Sequence, residues 1–332
     1  MTAKKTQSKT GFEKQWHYMP DVPVQTSPLF SWPPQPIKAA KWIASSWFTI
    51  SENIILVALA CLIWFYASPT LETTKTLEPS WIGFIFIRNM LLMTIVAGGL
   101  HWFFHSGKKQ DNHLKFDART VPMKGKGFTF NNQLYDNMFW TLASGVTLWT
   151  IYETAMLWAI SNGYIPTLLW LDNPIWFAAV IFLTPLWISF HFYWIHRFLH
   201  WPPMYKIAHA LHHRNTNVGP WSGLSMHPIE TILFFSSILI HLIIAAHPIH
   251  IFFHLMHQAL TAATSHTGFE SLVVKDKSRL DLGRFHHQMH HRYFECNYGN
   301  LEVPWDKAFG SFHDGTNESH EAFKERRKDL MS

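Results

Sequence analysis

Apolar residues run through this chain in long blocks separated by short polar segments, and the blocks set its architecture. Four of them approach the ~20 residues that a bilayer core requires. They are Ile54 to Ala67 with flanking Ser51 to Asn53, Trp81 to Phe104, Met138 to Ile160, and Pro174 to about Ile195. Their lengths predict four membrane spans, with a soluble all-helical core as the weaker alternative. Arg88 lies inside the second block and Glu153 inside the third, so each is expected to face protein or water and not lipid. A fifth stretch, Ile229 to Thr264, is divided by Pro248 into two arms of about 16 residues, short for a full crossing at roughly 1.5 Å per residue. This pattern predicts a helical hairpin that re-enters or barely spans.

Composition agrees with a membrane protein. Of 332 residues, 48% are hydrophobic and 15% charged, with 17 Trp and 27 Phe; soluble domains carry about a quarter charged residues. The charges that remain are distributed unevenly. Lys4, Lys5, Lys9, Lys14, Lys38 and Lys41 precede the first block, and Lys108, Lys109, Lys115, Arg119, Lys124 and Lys126 lie between the second and third. Ser68 to Ser80 holds only Lys75, and Ser161 to Asn173 holds no Lys or Arg. The positive-inside rule then puts both termini and the histidine-rich segments in the cytoplasm. The basic balance reads as a topogenic signal that also suits anionic headgroups or an acidic electron donor. Nucleic-acid binding is a poor reading, because no recognition motif accompanies the lysines. Cys61 and Cys296 are expected to stay unpaired. No signal-peptide pattern is visible in residues 1–51, so the first span is read as the membrane signal. The segment Asn317 to Ser332 reads as a solvated helix or a frayed end.

Histidines carry the candidate chemistry. His196 and His200 read H-x-x-x-H; His209, His212 and His213, and again His287, His290 and His291, read H-x-x-H-H. On a helix, residues three and four apart share a face, so each cluster is expected to project its imidazoles in one direction. Neutral imidazole suits iron, zinc, copper or nickel. Eight such groups exceed what one tetrahedral ion can use, which suggests two metals. Other histidines read differently. His191 lies roughly 140° around the helix from His196 and cannot share its face. His286 points away from its cluster, and His101 with His105 reads as an interfacial pair. His250, His254 and His257 line one face of the hairpin's second arm, either bordering a substrate cavity or serving a packed structural role.

The segments "FYWIHRFLH" (Phe192 to His200), "HALHHRNTNVGPWSGLSMHPIE" (His209 to Glu230), "FHHQMHHRYFECNYGN" (Phe285 to Asn300) and "WDKAFGSF" (Trp305 to Phe312) occur in one order. Together they resemble the sterol desaturase and fatty acid hydroxylase superfamily of membrane di-iron oxygenases, with "GPWSGLSMHPIE" closer to the sterol desaturase branch. The resemblance implies metal ligation by His196, His200, His209, His212, His213, His287, His290 and His291, and by His266 in "SHTGFE". His227 in "MHPIE" matches a family position too, as a ligand, a supporting neighbour or the start of a helix before Pro228, while Glu230, His286, Asn297 and Asp306 are expected as supporting neighbours that orient imidazoles through hydrogen bonds. One position departs from the pattern: Ser189 stands where family members often carry an acidic residue, so something else must steady the ligand there.

The implied fold is an all-α, polytopic helical bundle of four spans plus a Pro-broken hairpin, with a cytoplasmic histidine-rich helical cap. Its expected divisions are an N-terminal segment (1–50), transmembrane helices (51–180), a catalytic domain like the family's (181–315) and a tail (316–332). The implied activity is hydroxylation or desaturation of a C–H bond in a lipid (a sterol, terpenoid or acyl chain) with two non-haem irons and O2. No side chain could attack such a bond as nucleophile or base, so the chemistry falls to the metal. Electrons must come from a ferredoxin or cytochrome with its reductase, since no flavin or nicotinamide fingerprint and no haem domain is present. The expected location is a bacterial inner membrane, or the endoplasmic reticulum in a eukaryote. Two other classes compete. A histidine-lined transporter or metal-handling protein predicts ligands strung along the spans. A zinc-dependent membrane hydrolase needs fewer ligands and a general base, and no H-E-x-x-H sequence is present.

Overall fold

The computed structural model describes residues 11–121 and 123–331; Lys4, Lys5 and Lys9 lie outside the described residues. Helices dominate, and prolines open many of them. Pro36, Pro79, Pro174, Pro228 and Pro248 each sit in the first turn of a helix, where a missing N–H costs nothing and φ is already helical.

The first expected span is a bent pair. Helix α1 (Pro36–Trp47) meets α2 (Glu52–Tyr66) at 43°, and the Ser51 side chain caps α2. Helix α3 (Pro79–Ser106) contains two π-helical turns, and α4 (residues 133–161) contains one at Thr141–Val146. Helix α5 (Pro174–Leu199) runs through Pro185 without ending. Among the described residues, α3 and α5 alone are by themselves long and apolar enough to cross a membrane, with a third span if α1 and α2 count as one. Of the four expected spans, two stand out by length and composition among the described residues, or three with the bent pair. Asp136, Asn137, Ser144, Thr150 and Glu153 on the buried side of α4 dilute its apolarity. Large apolar side chains on the outside of α2, α3 and α5, among them Leu62, Phe65, Ile87, Ile95, Ile175 and Phe198, are exposed. Such a surface suits lipid better than water.

The stretch around Pro248 is a hairpin of α7 (Pro228–Leu242), which tightens into a 3-10 turn from Ser236, and α8 (Pro248–Ser265). It follows α6 (residues 202–213), whose central turn is π-helical. Helix α8 is the central post of the molecule. It packs against α2, α4 and α5, and Ile251, Phe253, Leu255, Ala259 and Ala263 are fully buried. Gly223 approaches it so closely that a Cβ would stand 1.9 Å from the Ala262 carbonyl oxygen.

The purely α expectation needs a correction. Strands β1 (Ser271–Val274) and β2 (Lys277–Asp281) form an antiparallel hairpin. Lys275 and Asp276 between them both have positive φ, 52° and 57°, as a two-residue hairpin turn requires. Helices α9 (Phe285–Tyr293), α10 (Trp305–Ala308) and α11 (Asn317–Met331) complete the chain. The tail is not frayed: Phe323 of α11 is buried with Phe12, Trp16 and Phe285, and Asn317 Oδ1 accepts from Phe12 N at 2.9 Å.

Arg88 and Glu153 meet. They form a buried ion pair between α3 and α4, with Asn89 Nδ2 donating to the second Glu153 oxygen at 3.1 Å and Arg88 also donating to the Ala67 carbonyl at 2.9 Å.

Candidate metal centre

All nine histidines expected as ligands converge, and they sort into two groups. His196, His200, His209, His213 and His290 form one; His212, His266, His287 and His291 form the other. Within each group the available nitrogens lie within 4.8 Å of one another. His200 is the one member that is not fully buried.

The sorting corrects the expectation that each cluster points one way. Residues four apart stay together, as in His196 with His200, His209 with His213, and His287 with His291. The residue at the remaining position, His212 or His290, crosses to the other group. Neighbours on a helix differ by about 100° in direction, so a doublet cannot serve one ion. Each H-x-x-H-H cluster thus contributes to both groups and ties them together, with the His213 and His291 rings 5.0 Å apart.

Proton positions argue for cations. His196 Nδ1–H donates to the Tyr298 carbonyl at 2.6 Å, His290 Nδ1–H to the Cys296 carbonyl at 2.6 Å, and His266 Nδ1–H to the Ala262 carbonyl at 2.8 Å. Each neutral ring then keeps a lone pair on Nε2. These Nε2 atoms face others at close range: His196 to His209 at 3.1 Å, His290 to His213 at 3.0 Å, and His266 to His291 at 3.0 Å. Cis ligands on an ion with bonds of about 2.1 Å are separated by roughly 3.0 Å. Burial holds His200, His209, His213, His287, His290 and His291 well below the usual histidine range, and neighbouring imidazoles lower them further. His212 is pushed down to about 4 and His266 to about 3, again chiefly by burial. The rings are therefore neutral donors, and the set fits two nitrogen-ligated transition metals.

Supporting contacts are partly as expected. Glu230 Oε1 lies 2.8 Å from His209 Nδ1, and burial pushes this carboxyl well above its usual range. Asp306 and Asn297 touch no imidazole of either group. They build the loop whose carbonyls do the orienting. Asp306 accepts from Tyr298 N at 2.9 Å, Gly299 N at 2.7 Å and Ser311 Oγ at 2.6 Å. Asn297 Nδ2 donates to the carbonyls of His286 and His313, both at 3.0 Å. Phe294, whose ring packs tilted against His213 with centroids 4.9 Å apart, has φ 70° and ψ −51°, and Glu295 N donates to Tyr293 O at 2.9 Å. That is a strained γ-turn in a bulky residue at the edge of the centre.

His227 is placed at the helix start: its Nδ1 accepts from Ile229 N at 3.3 Å. His286 is buried and belongs to neither group, and Asn297 holds its backbone carbonyl. His191 points elsewhere, to Ser236 Oγ at 3.0 Å. His105 bonds the Thr267 carbonyl at 3.0 Å, His250 that of Phe177 at 3.0 Å, and His254 lies between Ser237 and His241. At Ser189 the hydroxyl reaches Glu302 at 3.4 Å, so a carboxylate from another segment occupies that neighbourhood. The orienting carbonyls of Cys296 and Tyr298 had no signal in the sequence, because backbone groups carry none.

A cavity adjoins both groups. His196, His209, His212, His266 and His287 line it, together with the apolar side chains of Ile188, Phe192, Ile195, Leu199, Met226 and Phe234. A transport path would string ligands along the helices; here they gather into two groups beside one pocket.

Residues 181–311 match the family model described as fatty acid hydroxylase. The chain is 30% identical over 148 residues to the Delta(7)-sterol 5(6)-desaturase of Eremothecium gossypii, covering 43% of this chain and 39% of that protein. It is 29% identical over 144 residues to that of Candida albicans (41% and 35%), and 29% over 168 residues to the Delta(7)-sterol-C5(6)-desaturase of Nicotiana tabacum (48% and 59%). The match thus spans about a third to three-fifths of these relatives' length. No solved structure matches the chain. Residues 181–311 therefore resemble the fatty acid hydroxylase family, and the matched part of the chain is similar to sterol desaturases.

Proposed function

We propose that the protein is a membrane oxidoreductase that hydroxylates or desaturates a C–H bond of a lipid, using two irons, O2 and electrons from a separate donor. One observation carries the reading: nine neutral imidazoles form two abutting groups, and five of them line a cavity with apolar walls. All nine are proposed as ligands, five to one ion and four to the other. Bound iron would supply redox chemistry and dioxygen activation, which no side chain offers.

The chain's own residues do the rest. The carbonyls of Tyr298, Cys296 and Ala262 fix ring orientation and keep the proton on Nδ1, leaving Nε2 as the donor atom. Ile188, Phe192 and Leu199 exclude water and lay an apolar substrate against the histidines. Both termini and the histidine groups are proposed to lie on the cytoplasmic side, with the external donor, a ferredoxin or cytochrome, approaching from there.

Two measurements test this. Purified protein should contain about two irons per chain; one zinc and no iron would point to a hydrolase. Mass spectrometry of total lipids from cells with and without the gene should show one lipid gaining an oxygen or losing two hydrogens. Unchanged lipids in cells producing iron-loaded protein would overturn the proposal.

A further inference from the structure

Helix α3, long and apolar enough to cross a membrane, ends at Ser106, and a separate cavity of about 180 Å³ adjoins that end. Phe104 and His105 of the helix line it, with Lys108, Asp111, Asn112, Lys115 and Thr120 of the loop that follows. None of these belongs to either histidine group. Pockets for drug-sized ligands begin at about 300 Å³, so this one suits a compact group. The loop is tightly wound: Lys108, Asp111 and Leu114 all have positive φ, 44°, 47° and 60°. Residues other than glycine adopt that region uncommonly, and here it folds the chain back so that Lys108 and Lys115 reach one cavity. Backbone bonds fix the returning strand. Phe116 N donates to the Gly268 carbonyl at 2.9 Å, and Glu270 N to the Leu114 carbonyl at 3.0 Å.

Charge in this cavity is not balanced. Lys115 is 6% exposed; its Nζ donates to the Arg119 carbonyl at 2.9 Å and lies 5.9 Å from the centroid of the Phe269 ring. Ala118 and Thr120, on either side of Arg119, line the cavity, so the ammonium stands at its wall. Among the described residues Lys115 forms no ion pair. Asp117, the acid that acts on it, is already bound by Arg119 at 2.6 Å and faced by Arg292 at 3.8 Å. Burial lowers the Lys115 ammonium from its ordinary range, and the neighbouring charge of Lys108 adds to the effect while Asp117 opposes it. Asp111, on the same cavity, is exposed and pairs with neither lysine among the described residues, so two cations face one acid. A buried cation without a counterion is costly, and an anion that reaches it recovers part of that cost.

We infer that Lys108 and Lys115 bind a phosphate group in this cavity, with Asn112 and Thr120 as neutral donors beside them. Lysine meets phosphate as a point charge with three donors, and needs no planar fork to do so. The position of the cavity says where the phosphate comes from. Trp102 is 57% exposed one turn before the end of α3, and Lys109 Nζ lies 5.3 Å from the centroid of its ring. A tryptophan and a lysine at the end of an apolar helix mark the level of the lipid headgroups. Phosphate is the anion fixed at that level, and basic pockets at helix ends hold anionic headgroups there. Free phosphate offers the same chemistry from the aqueous side. The site does not depend on the oxygenase reading.

The test is calorimetric titration of the full-length protein in dodecyl maltoside. The probes are dioctanoyl phosphatidic acid, dioctanoylglycerol, which lacks the phosphate, and inorganic phosphate. The phosphatidic acid should bind about tenfold tighter than the diacylglycerol, the margin of one charge-assisted hydrogen bond. Lys108→Gln and Lys115→Met should each remove most of that margin. Lys108 is exposed, so its variant keeps the test decisive where Lys115→Met does not fold. Lys109 lies over Trp102 and does not line the cavity, so Lys109→Gln should keep the full margin. Lipid binding that inorganic phosphate cannot displace assigns the site to a headgroup. Inorganic phosphate that binds as tightly as the lipid, and is lost in Lys108→Gln, assigns it to the free anion. Equal affinity for the two lipids with no response to inorganic phosphate overturns the inference. So does a full margin in the folded Lys108 and Lys115 variants, or an equal loss in Lys109→Gln, which would reduce the effect to general surface charge.

Discussion

His290 and Cys296 are joined by a 2.6 Å hydrogen bond from the imidazole Nδ1–H to the backbone carbonyl, across a chain reversal of six residues. Phe294 at φ 70° makes that reversal, and the amides of Tyr298 and Gly299 on Asp306 hold the far side of it. A candidate ligand is thus aimed by a backbone group that is itself held by a carboxylate, so orientation passes through the loop.

Asp306→Ala should therefore act at a distance. It releases Tyr298 N, Gly299 N and Ser311 Oγ together, and with them the carbonyls that orient His196 and His290. Metal affinity should fall by about 10–100-fold, the usual cost of losing an orienting partner. Iron content per chain after dialysis against a graded chelator reads the loss directly. Content equal to wild type across the series would show that the loop holds its shape without this carboxylate.

His290→Ala and His191→Ala form a contrasting pair. His290 lies within the five-histidine group, and His191 bonds Ser236 Oγ on α7. The first substitution should remove most of the iron and all lipid product while leaving membrane insertion intact. The second should retain both iron and substantial turnover. Loss of iron in His191→Ala would break the assignment of helix faces.

The nine converging histidines were legible because helical spacing repeats in the sequence. Their partition was not, since H-x-x-H-H looks like one unit until neighbouring residues on a real helix diverge, sending His212 and His290 across. The Pro248 hairpin and the tendency of Arg88 and Glu153 to avoid lipid were also readable from local pattern. Span number was harder. Helix α4 is long enough, yet its buried face is polar because it meets Arg88 and Asn215 and not lipid, and composition alone cannot say what a face meets. His227 was ambiguous for a related reason: a histidine before proline serves as readily as a cap as it does near a ligand.

Glu153→Ala should be strongly destabilising. Glu153 is 1% exposed and Arg88 9%, and removing the carboxylate leaves the guanidinium buried with neutral partners only. Breaking such a pair costs about 3–5 kcal/mol. The double substitution Arg88→Met, Glu153→Leu should cost less than Glu153→Ala alone, because no charge is left behind. Thermal unfolding in detergent compares the three, and a double variant weaker than the single would mean the pair contributes more than it costs to bury.

The contact between the two ends of the chain should weaken in mild acid. His313 is buried against Phe12, Tyr293 and Phe323, with His320 Nδ1 3.2 Å from its Nε2. Burial first, and His320 second, push His313 from an ordinary 6.5 down to about 4. His320 is lowered as well, by burial and by Lys324. Between those values the unfolded segment binds a proton that the folded one does not, so stability rises with pH through this window. The contribution is fully present above about 6.5, declines as pH falls, and is exhausted near 4, a loss of at most about 3 kcal/mol from His313. Hydrogen exchange in Gly11–Gln15 and in α11 should accelerate together over that range. His313→Phe keeps the aromatic packing and removes the proton site, so its exchange profile should be flatter; a wild-type pH dependence in this variant would assign the transition to another group.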